Sequence, residues 1–111
     1  LNKDKFVLPK QNIDSGFHLY VIRIKNFTLK KKILLTKKIF SKSKIILNFH
    51  YKPIYRHSYY KKKYNYKNSL FINSETFFKE ALSLPFHLSL AKKDCIYISK
   101  SLNKLVDDIN K

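Results

Sequence analysis

The sequence has no methionine and no tryptophan, and it contains one glycine and one cysteine. The single cysteine, Cys95, cannot form a disulfide within the chain, and this usage is typical of a reducing compartment such as the cytoplasm. With Gly16 as the only glycine, a glycine-rich phosphate-binding loop is excluded. No apolar run approaches the roughly 20 residues that a membrane-spanning helix needs, so we expect no membrane partner. Because position 1 is leucine, we expect either another initiation codon or a piece of a longer protein.

Acidic residues are scarce, because 7 Asp and Glu stand against 24 Lys and Arg, which gives a net charge of +17. A charge of this size indicates a polyanion partner such as nucleic acid. However, arginine occurs only at Arg23 and Arg56, although base and phosphate recognition favours arginine. The abundance of Lys, Asn, Ile, Tyr and Phe matches A/T-rich codons. We therefore interpret the charge chiefly as compositional drift, and a small basic nucleic-acid-binding module is the alternative function.

Three segments of the chain are predicted as strands. Residues 17–24 alternate most clearly, with Val21 and Arg23 on one side and Tyr20 and Ile22 on the other. Residues 44–49 form a second apolar run. Residues 83–88 are predicted as extended, and the proline within them suits an edge strand.

Three further segments have helical periodicity. Residues 28–42 begin with a good N-cap, Thr28, and most of their lysines are expected on a solvated surface. The apolar face predicted for this helix is Leu29, Ile33, Thr36 and Phe40. A short helix is predicted to begin with Asn73 or Ser74 as its cap. The stripe predicted for the last helix, over residues 90–110, is Cys95, Ile98, Leu102, Leu105 and Ile109, which makes Cys95 a core thiol rather than a nucleophile.

The 111 residues suit one domain, and the predicted order is β-α-β-loop-α-β-α. Strands that are few and separated by helices indicate an α+β two-layer sandwich. We expect residues 1–16 to be a linker or lead-in, and residues 17–111 to form the domain.

The loop at residues 48–60 is the candidate functional stretch, because it combines imidazole, phenol and guanidinium groups. Its polar and aromatic members are His50, Tyr51, Tyr55, Arg56, His57, Tyr59 and Tyr60. Such a set suits a phosphate together with a sugar or a nucleobase. The alternative is that Tyr59, Tyr60, Tyr64 and Tyr66 only pack a long mobile excursion that contains Lys61, Lys62 and Lys63. No Cys/His metal spacing and no paired carboxylates accompany the loop, so we predict neither a metal ion nor catalytic residues here.

Two runs, taken together, resemble the DegT/DnrJ/EryC1/StrS aminotransferases, which use pyridoxal phosphate to aminate keto-sugars on nucleotides. The first is His-Leu-Tyr-Val-Ile-Arg-Ile at residues 18–24, followed by the lysine-rich helix and by Asn-Phe-His-Tyr-Lys-Pro-Ile-Tyr at residues 48–55. The second covers residues 71–85 and ends in Glu-Ala-Leu-Ser-Leu-Pro. The resemblance spans about residues 14 to 106 and looks strongest to the branch that acts in pseudaminic acid synthesis. It implies the small C-terminal domain of a fold-type I enzyme, with a small antiparallel sheet and helices on one face.

The resemblance also implies roles for particular residues. His50 and Tyr51 would bind the substrate, a UDP-linked 4-keto sugar, and Tyr55, Arg56 and His18 are further candidates. The lysine that binds pyridoxal 5'-phosphate belongs to the large N-terminal domain of such enzymes, so no catalytic or cofactor-binding residue is assigned here. Glutamate is the expected amino donor, a homodimer the expected assembly, and this chain alone is expected to be inactive.

The sequence departs from the family pattern at three positions, one of which is His87-Leu88, where Pro-Gly is usual before the last helix. Lys44 stands where the family usually has glycine before the second strand, so we expect a strained or rebuilt turn there. Ala91 stands where a threonine N-cap is usual, and an alanine side chain cannot cap the last helix.

Overall fold

A computed structural model of the chain describes residues 1–10, 14–16 and 18–111. Phe17, which was assigned to a strand, and residues 11–13 of the predicted lead-in lie outside the described residues. The strands are β1 (Phe6–Val7), β2 (Tyr20–Ile24) and β3 (Ala81–Leu84). The α-helices are α1 (Leu29–Ser43), α2 (Ser58–Tyr64), α3 (Ile72–Glu80) and α4 (Lys92–Asn110). Two short 3₁₀ turns cover Ile54–Arg56 and Asn68–Phe71.

The three strands form one antiparallel sheet in the order β1-β2-β3. Phe6 lies opposite Ile24, and Ile22 lies opposite Leu82. Because side chains alternate along a strand, these four residues share one face of the sheet, and all four are buried. The helices α1 and α4 cover this face, since Leu35 and Ile39 of the first and Ile98, Leu102, Leu105 and Val106 of the second complete the same core. The predicted α+β sandwich, with helices on one face, is thus confirmed.

Part of the predicted lead-in is built into this domain. The strand β1 pairs with β2, and Phe6 is only 2% exposed within the core. The two-residue strand is too short to give a periodic signal, which is why the sequence did not indicate it. The boundary at residue 16 remains a prediction.

The buried face of α1 differs from the predicted one by a rotation of the helix. The buried residues are Lys32, Leu35 and Ile39, whereas Phe40, which was assigned to the core, is 52% exposed. One residue of shift along a helix turns its face by about 100°. The prediction was wrong because Lys32 was counted as solvated, which moved the expected stripe onto its neighbours.

The ends of α1 behave largely as expected. The Oγ1 atom of Thr28 accepts a hydrogen bond from the Lys31 N–H at 3.2 Å, which confirms the N-cap. At the other end, Lys44 has a φ of 55° and a ψ of 24°, in the left-handed region that favours glycine. Lys44 therefore holds a conformation that is strained for a residue with a Cβ, as expected for this turn.

The predicted strand over residues 44–49 is not a strand. Ile45 and Leu47 are buried and Ile46 is exposed, so the alternation is real, but only Asn48 pairs with the sheet, through a single bridge to Ser83. The predicted extended segment at residues 83–88 begins earlier, as β3, and ends just before Pro85, which has no N–H to donate to a ladder.

Two more helices differ from the prediction. The predicted excursion forms α2, whose C-cap is Asn65 with a φ of 49°. Helix α3 begins at Ile72, and its N-cap is Phe71 without a side-chain bond, so the assignment of the cap to Asn73 or Ser74 was wrong. The chain enters α3 directly from a 3₁₀ turn, so the helix is already formed at these residues.

The buried stripe of α4 is confirmed from Ile98 onward, but Cys95 is exposed. It lies in the first turn of the helix, beside an open apolar pocket of about 320 Å³ that Leu90 and Ile98 also line. Ala91 is the N-cap without a side-chain bond, and the Asp94 carboxylate accepts the Ala91 N–H at 2.9 Å. One half of a capping box is therefore present. None of the helices that the structure describes is long and apolar enough to cross a membrane.

Candidate functional site

The imidazole of His50 is fixed against the edge of the sheet. Asn48 and Ser83 exchange two backbone hydrogen bonds of 3.1 and 2.9 Å, which hold the chain beside β3. Two residues further on, Nδ1 of His50 lies 2.7 Å from Oγ of the buried Ser83. This contact uses one ring nitrogen. The other, Nε2 on the far side of the ring, has no hydrogen-bond partner among the described residues. It can donate to or accept from a ligand, according to the tautomer.

Tyr51 presents its phenol to solvent next to this imidazole. Its side chain is 73% exposed, and its ring meets the His50 ring edge-on, with 4.7 Å between the centroids. The peptide bond that joins the two residues is cis. Tyr51 also borders a shallow pocket of about 410 Å³ with Pro53, Ser74 and Phe77. The structure thus places the two principal candidates side by side, with one anchored and one open.

A buried lysine lies beneath the two candidates. Lys32 of α1 is 1% exposed, and its Nζ donates to the backbone carbonyl of Phe78. The same Nζ lies 4.3 Å from the ring centroid of Phe49 and 4.8 Å from that of Phe78, in cation–π contact with both. Burial lowers the pKa of Lys32 to about 8. With His50 and Tyr51 it lines a cavity of only about 10 Å³.

Sequence reasoning missed Lys32, because it is one of three consecutive lysines and looks like part of a solvated surface. One signal was available. Lys32 precedes Leu35 by three residues and Ile39 by seven, which puts all three on one side of a helix.

Tyr55 and Arg56 are held by Glu75 of α3. The Tyr55 hydroxyl donates to Oε1 at 2.8 Å, and the guanidinium contacts both carboxylate oxygens, from Nε at 2.7 Å and from Nη2 at 2.6 Å. The hydrogen bonds from Arg56 hold the pKa of Glu75 below its usual value. Burial, reinforced by the Glu75 carboxylate, raises the pKa of Tyr55 to about 12.

These contacts assign a supporting position to two of the predicted substrate-binding residues. The Tyr55 ring also stacks on Phe71, with centroids 4.2 Å apart, and Arg56 lies 5.1 Å from the centroid of Phe78. Glu75 lies in the first turn of α3, and through these bonds it joins the 3₁₀ turn to that helix. A direct contact of Tyr55 or Arg56 with substrate stays a prediction.

The structure does not bring His18 to the same place. His18 is exposed and lines a separate pocket of about 390 Å³ with Gly16, Phe86 and His87. That pocket shares no lining residue with the cavity below His50. Within the described ranges, no group of three or more His, Cys, Asp and Glu residues could hold a metal ion.

The tyrosines that follow the loop form a chain of ring contacts along α2. Tyr60 is in contact with Tyr59 and Tyr64, Tyr66 stacks on Tyr64 at 5.4 Å, and the series continues to Phe71. The four tyrosine rings of this series are all exposed. Packing of this segment, the alternative to ligand binding, therefore has direct contacts in its favour.

A sequence profile of the DegT/DnrJ/EryC1/StrS aminotransferase family matches residues 2–103. The match covers the sheet, all four helices in whole or in part, and the segment that carries His50 and Tyr51. The chain belongs to this family.

Two curated relatives extend this result. The uncharacterised protein MJ1066 of Methanocaldococcus jannaschii is 30% identical over 96% of this chain, and over 28% of its own length. The spore coat polysaccharide biosynthesis protein SpsC of Bacillus subtilis is 27% identical over 82% of this chain, and over 24% of its own length. The chain thus spans about a quarter of the length of the curated relatives that it matches.

Solved structures carry the same fold. A Streptococcus pneumoniae protein described as a sugar aminotransferase superposes with a TM-score of 0.84 at 22% identity, over 95% of this chain and 27% of that chain. PseC of Helicobacter pylori, an aminotransferase involved in pseudaminic acid biosynthesis, superposes with a TM-score of 0.83 at 26% identity, over 96% and 29% of the two chains.

Proposed function

We propose that this chain is the C-terminal small domain of a pyridoxal-phosphate-dependent aminotransferase, and that it supplies the substrate side of the active site. The observation that carries the proposal is the pair His50 and Tyr51, in which the imidazole is anchored to Ser83 at 2.7 Å and the phenol beside it is open to solvent. An anchored donor next to an exposed aromatic ring suits a ligand that combines hydroxyl groups with a flat or ring-shaped surface.

The substrate that we propose is a UDP-linked 4-keto sugar, with glutamate as the amino donor. The likeness to PseC supports this choice, since that protein acts in pseudaminic acid biosynthesis. The activity would then be that of a UDP-4-amino-4,6-dideoxy-N-acetyl-β-L-altrosamine transaminase. His50 would hold a hydroxyl or phosphate oxygen through Nε2, and the Tyr51 ring would cover the sugar.

The residues described here do not fit the cofactor itself. Lys32 is the buried lysine among them, and its cavity of about 10 Å³ holds at most one water molecule, whereas a pyridine ring is far larger. The two buried carboxylates are already bound, Glu75 by Arg56 and Tyr55 and Glu80 by the Asn26 N–H. We therefore assign the cofactor-binding lysine to a domain that this chain does not contain, and we expect the chain alone to be inactive.

The surface around the site suits the partner that this proposal requires. Phe77 borders the Tyr51 pocket and is exposed, and Ile54 is exposed three residues after Tyr51. Leu70 and Ile72 are exposed along a second open pocket, which shares Asn73 and Ser74 with the first. Exposed large apolar side chains grouped in this way are typical of a surface that another domain covers. We propose that the large domain covers it, in a homodimer located in the cytoplasm.

A chimera tests the function. In PseC, the C-terminal segment that superposes on this chain is replaced by the 111 residues, and amino transfer to the UDP-linked 4-keto sugar is measured. We expect activity that His50→Ala lowers by at least about tenfold, the cost of one lost hydrogen bond to a charged group. His87→Ala, which changes an exposed histidine of the separate pocket, is the matched control.

Two results would contradict the proposal. The first is a folded chimera whose activity is the same with and without His50→Ala. The second is a visible absorption band of an internal aldimine when the chain alone is mixed with pyridoxal phosphate, since we expect none.

A further inference from the structure

Lys32 is a buried cation in a place where an apolar residue would pack at lower cost. Moving an ammonium out of water is unfavourable unless its charge is compensated, and lysine is rarely buried without a partner. The described residues offer it no carboxylate within ion-pair distance, and its compensation comes from two aromatic rings and one carbonyl oxygen. Because replacing a buried charge by an apolar residue is often neutral or stabilising, a contribution to stability alone does not account for Lys32.

The ammonium and its two partner residues come from three different parts of the chain. Lys32 projects from α1, Phe78 belongs to the last turns of α3, and Phe49 immediately precedes His50. The contact with Phe49, at 4.3 Å, therefore acts on the residue next to the imidazole. Tyr51 lines the same small cavity as Lys32 and Phe49.

We propose that Lys32 is a positioning residue for the substrate-binding segment. Held between the rings of Phe49 and Phe78, its ammonium fixes the backbone from which His50 and Tyr51 project. The ligand of that segment rests on the proposed function, but the positioning itself does not.

The proposal also gives a purpose to the cluster around Glu75. The ring of Phe78 receives a second cation, Arg56, whose guanidinium is fixed by the Glu75 carboxylate. Phe78 thus joins the Lys32 contact to the Tyr55–Arg56–Glu75 cluster. Tyr55 and Arg56 would then act on the site by supporting this ring.

Hydrogen exchange on the intact chain tests the proposal without any ligand. The reporters are the backbone amides of Asn48 and Ser83, which bond across the bridge beside His50. In Lys32→Met, which keeps the length of the side chain but removes the charge, we expect these amides to exchange at least about tenfold faster, as the loss of desolvated cation–π contacts implies. The amide of Leu102 in α4 should exchange as before.

A spectroscopic signal and two matched variants complete the test. The ¹⁵N shift of His50 Nδ1 should move toward its value in a solvated histidine in Lys32→Met, because the bond to Ser83 loosens. Lys32→Arg keeps a cation and should restore both signals. Lys30→Met, which removes an exposed lysine of the same helix, should change neither.

The outcomes separate positioning from a general structural role. Unchanged exchange at Asn48 and Ser83 in Lys32→Met overturns the proposal, and so does a uniform acceleration that includes Leu102. If Lys32→Met does not fold, Phe49→Leu decides, since it removes the ring without touching α1; we expect the same local acceleration, and its absence rejects the idea. A failed chimera with positive exchange data would refute the function and leave the positioning intact.

Discussion

The guanidinium of Arg56 and the carboxylate of Glu75 form a two-point contact, with Nε 2.7 Å from Oε1 and Nη2 2.6 Å from Oε2. The carboxylate is nearly buried, and it also accepts the Tyr55 hydroxyl. Paired geometry of this kind is stronger and more specific than a single-point ion pair. It ties the turn that follows the His50–Tyr51 segment to α3, so it bears on the shape of the site as well as on stability.

Replacing Glu75 by glutamine should therefore destabilise the chain. Glutamine removes the charge and one acceptor, which leaves the buried partners partly unsatisfied, and we expect a loss of about 2 kcal/mol in the free energy of unfolding. Urea denaturation followed by circular dichroism measures it. The matched control is Asp108→Asn, whose exposed partner Lys111 lies 3.6 Å away and which should change stability by less than about 0.5 kcal/mol.

The same pair sets a direction for acid unfolding. Because the pKa of Glu75 is lowered in the folded chain, its contribution is present above the unfolded value of 4.5 and is lost as the pH falls through the folded value. Glu75→Gln should lack this part of the acid-induced loss. An unchanged difference between the two proteins at all acidic pH values would contradict this account.

Lys32 gives the opposite kind of pH dependence, at alkaline pH. Its pKa is about 8 in the folded chain and 10.5 in the unfolded one, so the unfolded chain binds the proton more tightly. Stability should consequently rise between these two values, by at most about 3 kcal/mol. Denaturation of the wild type and Lys32→Met at about pH 7.5 and about pH 9.5 isolates the effect, because other groups titrate equally in both proteins. A constant difference between the two would show that Lys32 keeps an ordinary pKa.

How far the sequence predicts this molecule depends on the range of each interaction. Alternation in β2 and the spacing of Ile98, Leu102 and Leu105 are local signals, and they indicated the sheet and the last helix correctly. The pairing of Arg56 with Glu75 joins residues 19 positions apart, and neither periodicity nor composition carries such a contact. The prediction for Lys32 was wrong for another reason, because its burial depends on compensation by rings from two other segments.

The resemblance to the family supplied what periodicity could not. It indicated His50 and Tyr51 by motif, and their role in substrate binding stays a prediction. It also indicated that Lys44 stands where glycine is usual. The φ of 55° at Lys44 lies in the region that favours glycine, which gives this departure a physical meaning.

Lys44→Gly should therefore stabilise the chain. A residue with a Cβ is strained in the left-handed region, and glycine there removes the strain at a small entropic cost, for a net gain of about 0.5–1 kcal/mol. The gain is reduced slightly, because the Lys44 ammonium lies 5.6 Å from the Phe40 ring. Lys42→Gly is the matched control inside α1, where glycine should instead cost about 1 kcal/mol. Thermal unfolding midpoints of the three proteins measure both effects, and a lower midpoint for Lys44→Gly would refute the account of strain.

Binding to DNA separates charge from recognition. Between residues 48 and 74 there are six basic residues and no acidic one, so the chain should bind duplex DNA at low salt. Five of the six are lysines, which act as point charges without the paired geometry of arginine. We therefore expect binding that is independent of DNA sequence and is lost at about 0.15 M salt, with a linear fall of the logarithm of affinity against the logarithm of salt concentration.

Changing Lys61, Lys62 and Lys63 of α2 to serine should reduce that slope by up to about 2.7, at about 0.9 for each phosphate contact. Sequence-selective binding that survives physiological salt would instead favour a nucleic-acid-binding module over the domain of an aminotransferase.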